Sequence, residues 1–141
     1  MLFRSDSMPK LKDFAGCRIL VAEDNNINME IISELLTMNG LEVLPASNGK
    51  EAVELFESSE DGSISMVLMD MQMPEMDGCE AAEAIRALPR EDALKVPILA
   101  LTGNSGSDDV ERAMAAGMND FMVKPVQMKL LAQMMSAYLQ H

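Results

Sequence analysis

The chain has 141 residues, 48 % hydrophobic and 24 % charged, the balance of one globular domain with room for a core. Its net charge of −12, from 11 basic and 23 acidic residues, disfavours nonspecific binding to nucleic acid or anionic membrane, and no run of Lys or Arg offers a local exception. Cys17 and Cys79 lack the paired spacing of a zinc or redox site, and no stretch reads as a bilayer span or secretory leader, so a cytoplasmic location is expected.

Residues 1–16 hold no sustained period and read as a tail or linker, leaving 17–141 as the domain. Arg18 to Ala22 is a short apolar run without polar alternation, the pattern of a strand buried on both faces, and it stops at Glu23 and Asp24. Asn25 and Asn26 can cap a helix to about Asn39, with Ile27, Ile31, Leu35 and Met38 at helical spacing and Gly40 as its C-terminal stop. Leu41 to Ala46 is a second strand. Asn48-Gly49 then opens a helix carrying Ala52, Val53 and Phe56 on one side.

Ser65 to Met69 is a third strand, ending at Asp70, and the loop after it holds Pro74 and Gly78, with Gly78 allowing a turn before a helix over Ala81 to Leu88. Pro89 to Lys95 reads as a polar connection. Val96 to Leu101 is a fourth strand, with Pro97 near its start, where a missing N–H is tolerated. Asp108 and Glu111 have the spacing of a capping box for the next helix, which Gly117 ends. Asp120 to Val123 is a fifth strand, stopped by Lys124-Pro125. A last helix runs from Val126 to Leu139, with Leu130, Leu131, Met134 and Leu139 for its inner side. The 15 methionines read mainly as flexible core filler.

Strands alternating with helices across short connections predict an α/β fold, a doubly wound five-stranded parallel sheet with helices on both faces, of flavodoxin-like size. In such sheets ligands bind beyond the carboxyl ends of the strands. Polar residues stand at four of those ends: Glu23-Asp24, Asp70, Thr102 and Lys124. Three acids brought together repel one another unless a cation joins them, and oxygen ligands with water suit Mg²⁺. Lys124 and Thr102 supply a fixed positive charge and a hydroxyl donor suited to phosphoryl oxygens, and a carboxylate is a competent nucleophile toward phosphorus. Asp70, in the middle of the rim, is the candidate for that attack. Each residue alone has a plainer reading as a cap, turn or surface group; their joint occurrence at successive strand ends carries the functional one.

Four segments, ILVAEDNNIN at 19–28, VLMDMQMPEMDG at 67–78, ILALTG at 98–103 and AGMNDFMVKP at 116–125, together resemble the receiver domain of two-component response regulators. The second segment and DNNIN are most similar to receivers of hybrid sensor kinases and phosphorelays. The resemblance implies Asp70 as phosphoacceptor, Asp24 as a direct Mg²⁺ ligand and Glu23 as one acting through water. It implies further that Gln72 ligates the metal through its backbone carbonyl. Thr102 is then the switch hydroxyl, Phe121 the aromatic switch residue, Lys124 the phosphoryl partner, and Lys124-Pro125 a cis peptide. Gln72 and Asn104 stand at positions that govern phosphoryl lifetime. The implied donor is a phosphohistidine on a histidine kinase or phosphotransfer domain, since His141 is the chain's single histidine and an unsuitable relay group. The domain would catalyse its own phosphorylation and hydrolysis, then switch partner contacts or form a phosphorylation-dependent dimer.

Two rivals differ in class. A Mg²⁺-dependent aspartate-nucleophile phosphatase needs an acid two residues past the nucleophile, where Gln72 stands, and a substrate cap for which the connections are too short. A pseudo-receiver that binds partners without phosphorylation is disfavoured by the presence of Asp70, Asp24 and Lys124. No Gly-rich loop follows the first strand as nucleotide binding requires, and no Ser/Thr-rich loop as a flavodoxin requires. Only Gln140 and His141 follow Leu139, so no output domain is expected within this sequence.

Overall fold

The computed structural model describes residues 8–103 and 107–139. Asn104 and His141 lie outside them, as do residues 1–7 of the predicted tail. Five strands form one parallel sheet in the order β2-β1-β3-β4-β5: β1 Arg18–Ala22, β2 Glu42–Ala46, β3 Met66–Asp70, β4 Ile98–Thr102 and β5 Asp120–Val123. The connecting helices are α1 Asn26–Met38, α2 Gly49–Ser58, α3 Gly78–Arg86, the short α4 Glu91–Lys95, α5 Ser107–Ala115 and α6 Met128–Tyr138. The predicted α/β architecture is the observed one.

Every residue of β3 and β4 is buried, as their unalternating sequences require for central strands. Pro45 lies in β2 and is tolerated because β2 is an edge. One core fills the side of α2, α3 and α5 around Leu20, Phe56, Met69 and Ile85. The other fills the side of α1 and α6 around Ile19, Leu36, Leu99 and Met135. Met66, Met69, Met122 and Met135 are all core residues, so much of the methionine content is packing.

Several local expectations change. On α1 the buried residues are Ile32 and Leu36, while Ile27, Ile31 and Met38 are 69 %, 56 % and 81 % exposed. The helix carries two apolar rows, and spacing alone does not say which one meets the sheet. On α6 the buried residues are Leu131, Ala132 and Met135, with Leu130, Met134 and Leu139 at the margin of that core. Residues 91–95 of the predicted polar connection form α4, whose Ala93 is buried. Asp108 sits inside the first turn of α5, not before it, so it is not the N-cap. The capping box belongs instead to α3: Asp77 Oδ1 accepts the Glu80 N–H at 2.9 Å, and Glu80 Oε1 accepts the Asp77 N–H at 3.0 Å. Residues 11–14, within the predicted tail, form a 3-10 turn whose Leu11 and Phe14 are buried in the α1–α6 core.

Candidate metal centre at the carboxyl rim

Strand register assembles the rim. Ala22 pairs with Met69, Asp70 with Leu101, and Thr102 with Val123, so the ends of β1, β3, β4 and β5 come level. Glu23 and Asp24 follow β1, Asp70 and Thr102 are the last residues of β3 and β4, and Lys124 follows β5. The Lys124 N–H donates to the Thr102 carbonyl at 2.8 Å, which extends the β4–β5 ladder up to the lysine. The Lys124–Pro125 peptide is cis, as the family resemblance implies. Gly78 is required for space at this point: a Cβ there would lie 2.2 Å from the Asp70 carbonyl oxygen. Its observed role is close approach of α3 to the rim, not the turn expected of it.

Carboxylate oxygens of Glu23, Asp24 and Asp70 all lie within 4.8 Å of one another. Glu23 and Asp70 are only 2 % and 4 % exposed, whereas Asp24 is open to solvent. Lys124 Nζ sits 3.1 Å from Asp70 Oδ1 and 3.2 Å from Glu23 Oε1. The Asn25 N–H donates to Glu23 Oε2 at 3.1 Å, and the Gln72 N–H donates to Asp70 Oδ1 at 3.2 Å. Glu23 Oε1 is buried, and among the described residues its partner is the Lys124 ammonium. Burial is the main cause of a raised Asp70 pKa, reinforced by Glu23 and opposed by Lys124 and the Gln72 N–H. Burial works to lower the Lys124 pKa, but Asp70 and Glu23 together outweigh it and raise it.

Three carboxylates against one ammonium leave two formal negative charges, and that ammonium is shared between two buried carboxylates. All the offered ligands are oxygens, and a hard divalent cation matches that charge and chemistry. The residues fit Mg²⁺.

A cavity of about 790 Å³ lies over the cluster, lined among others by Glu23, Asp24, Asp70, Gln72 and Lys124. Thr102 is 1 % exposed between two residues that line the cavity, Leu101 and Gly103. Phe121 is half-buried, packs on the α2–α3–α5 core, and is not among the lining residues. Gln72 touches Asp70 through its N–H, a contact that the sequence pattern does not announce. Asn28 and Asp109 also line the cavity, beyond the residues that stand at strand ends. Asn28 carries a signal in the sequence: Asn25 caps its N–H at 2.9 Å, which puts it in the first turn of α1, at the rim. Asp109 carries none, because its facing depends on the length of the β4–α5 connection.

Fold and site define a flavodoxin-like α/β domain with a cluster of three acids around one lysine at the carboxyl rim, able to hold a metal ion. The response regulator receiver domain profile matches residues 19–136, and the chain belongs to that family. It is 42 % identical over 132 residues to hybrid signal transduction histidine kinase B of Dictyostelium discoideum, covering 86 % of this chain and 7 % of that protein. It is 37 % identical over 131 residues to the sensor protein GacS of Pseudomonas syringae pv. syringae, covering 92 % and 14 %. The chain thus spans a small fraction of the curated relatives it matches. Among solved structures, the receiver domain of a Pseudomonas aeruginosa sensor histidine kinase, with a magnesium ion coordinated in its active-site cleft, is 35 % identical with a TM-score of 0.80, over 90 % of this chain and 100 % of that one. A Saccharomyces cerevisiae co-crystal structure of a histidine phosphotransfer protein with the receiver domain of its downstream response regulator matches at 30 % identity and a TM-score of 0.75, over 88 % and 89 %. Among the described residues no helix is long and apolar enough to cross a membrane.

Proposed function

We propose that this receiver domain accepts a phosphoryl group on Asp70 from a phosphohistidine donor, with Mg²⁺ held by Asp24, Asp70 and the Gln72 carbonyl, and by Glu23 through water. The observation that carries the reading is the buried Asp70 carboxylate, which shares Lys124 with Glu23 at the floor of the acidic cavity. A carboxylate oxygen of Asp70 attacks phosphorus as the phosphorus–nitrogen bond breaks, and the imidazole keeps that electron pair and takes up a proton. Lys124 then leaves its ion pair for a phosphoryl oxygen, and Thr102 donates its hydroxyl to another. A Mg²⁺ ion held by these residues would supply neutralisation of charge on the transferring group. Phe121 and Thr102 report the change outward as a shift between populations already accessible to the domain.

The donor, by analogy with the relatives, is a histidine kinase or a histidine phosphotransfer domain in the cytoplasm. Exposed Ile27 and Ile31, on the helix that begins two residues after Asp24, offer it an apolar contact beside the acidic mouth. Exposed Met114 on α5 and Val123 on β5 offer a separate surface for pairing of phosphorylated copies.

Intact mass after treatment with acetyl phosphate tests the site directly. Wild-type protein should gain about 80 Da, one phosphoryl group, only when Mg²⁺ is present, and Asp70→Asn should gain nothing. An adduct that survives in Asp70→Asn removes Asp70 from the role. No adduct on wild type, together with an unchanged NMR spectrum under beryllofluoride, leaves a phosphorylation-independent interaction domain.

A further inference from the structure

A second concave surface lies away from the acidic rim, where the 3-10 turn 11–14 packs against α6. It is a groove of about 460 Å³. Buried Leu11 and Ala132 are part of its lining, and exposed Met8 and Met128 stand at its edge. Asn39, at the end of α1, reaches Met128 Sδ with its side-chain amide at 3.6 Å.

Its charge distinguishes it from the rest of the molecule. Lys10, Lys12 and Lys129 all line it and are exposed, which gathers three of the chain's six lysines at one place. None of the three forms an ion pair with a carboxylate of the described residues, although the chain holds 23 acidic side chains. The nearest acid in sequence, Asp13, turns back to accept the backbone N–H of Lys10 at 2.9 Å. An apolar groove ringed by unpaired ammonium groups on a protein of net charge −12 is a local reversal of sign.

We propose that this groove is a docking site for an acidic amphipathic protein segment, one that seats a large apolar side chain against Leu11 and Ala132 and sets its carboxylates beside the three lysines. Apolar burial supplies the affinity, and the lysines select the sign of the partner and speed the encounter. The surface is distinct from the phosphoryl site, and the inference does not depend on chemistry at Asp70.

The test is an NMR titration of the full chain with a synthetic peptide of about twelve residues, three helical turns, carrying Leu on one face and Glu on the other. The expected result is saturable shifts of the backbone amides of Lys10, Leu11 and Met128–Ala132, weakened by added salt. The double variant Lys12→Glu/Lys129→Glu should keep a dispersed spectrum and lose about tenfold in affinity, as expected when rim charges change sign. A matched peptide with Lys for Glu and the acyl anion decanoate are the controls. The proposal is overturned if the acidic peptide moves none of these amides, or if the Lys peptide moves them equally. It is overturned equally if decanoate binds and the acidic peptide does not, since the groove would then be an acyl-anion site.

Discussion

The two ends of the sheet solve opposite problems with the same kinds of residue. At the amino end, Arg86 and Arg90 have a partner at every guanidinium nitrogen. Arg86 donates to the Gly117 carbonyl at 3.0 Å, the Ala93 carbonyl at 2.9 Å and Asn119 Oδ1 at 2.9 Å. Asn119 Oδ1 also accepts the Ile98 N–H at 2.8 Å, tying the starts of β4 and β5 together. Arg90 grips both carboxylate oxygens of Asp92 and the carbonyls of Phe56 and Glu57 at the end of α2. At the carboxyl end one lysine serves two buried acids, and a third acid stands beside them. The amino end holds the chain in one arrangement. The carboxyl end stays electrostatically incomplete, which is the condition for taking up a cation and a phosphoryl group.

That contrast is broken most severely by removing Arg86. Arg86→Ala strips the donor from two carbonyls and an amide oxygen, and should cost about 3 kcal/mol of stability in urea unfolding. Because it touches nothing at the rim, the surviving folded protein should label with acetyl phosphate at the wild-type rate. A large loss of labelling in folded protein would show that the two ends are not independent. Gly117 belongs to the same lock. Its φ is +98°, and a Cβ added there would lie 3.1 Å from Arg86 Cγ, so Gly117→Ala is a second route to the same loss.

The opposite manipulation completes the carboxyl end. A ligand bound only by the folded state stabilises it by about 2.7 kcal/mol at one hundred times its dissociation constant. Mg²⁺ should therefore raise the unfolding midpoint of wild type and of Arg86→Ala by similar increments, and Asp24→Asn should lose most of that response. A Mg²⁺ response undiminished in Asp24→Asn would place the cation elsewhere.

The same contrast explains what is legible in the sequence. The rim is readable because unalternating strands such as Met66–Asp70 end abruptly in polar residues, and the α/β topology brings such ends together whatever their separation in sequence. Glu23, Asp24, Asp70, Thr102 and Lys124 all stand out that way. The amino end is not readable. Arg86, Arg90 and Asn119 sit in stretches that look like ordinary polar surface, and each has a partner far off in sequence, Gly117, Phe56 and Ile98, at 31, 34 and 21 residues. The buried face of α1 is hidden for a related reason: Ile27 and Ile31 belong to one apolar row, Ile32 and Leu36 to another, and only the sheet's position selects between them. Leu11 and Phe14 look like part of a tail because a four-residue turn carries no periodicity.

The smallest expected effects come from Asp70 without metal. Its carboxyl is buried beside Glu23, so Asp70→Asn should stabilise the chelator-treated protein, on the order of 1 kcal/mol, while abolishing phosphorylation. The pH dependence follows with a definite sign. A folded-state pKa raised above the unfolded value means that the folded protein holds the proton more tightly. Stability is therefore greatest below the ordinary carboxyl range and falls as pH rises from about 4 through the raised pKa, with a slope of at most about 1.4 kcal/mol per pH unit for one proton. The raised pKa of Lys124 adds a second decline, only above about pH 10.4. Saturating Mg²⁺ should reverse the first decline, because the cation binds the ionised carboxylate and rewards the pH that the empty cluster resists. A metal-free protein whose unfolding midpoint stays flat between pH 4 and 7, in both wild type and Asp70→Asn, would mean that the rim is not the strained end of the molecule.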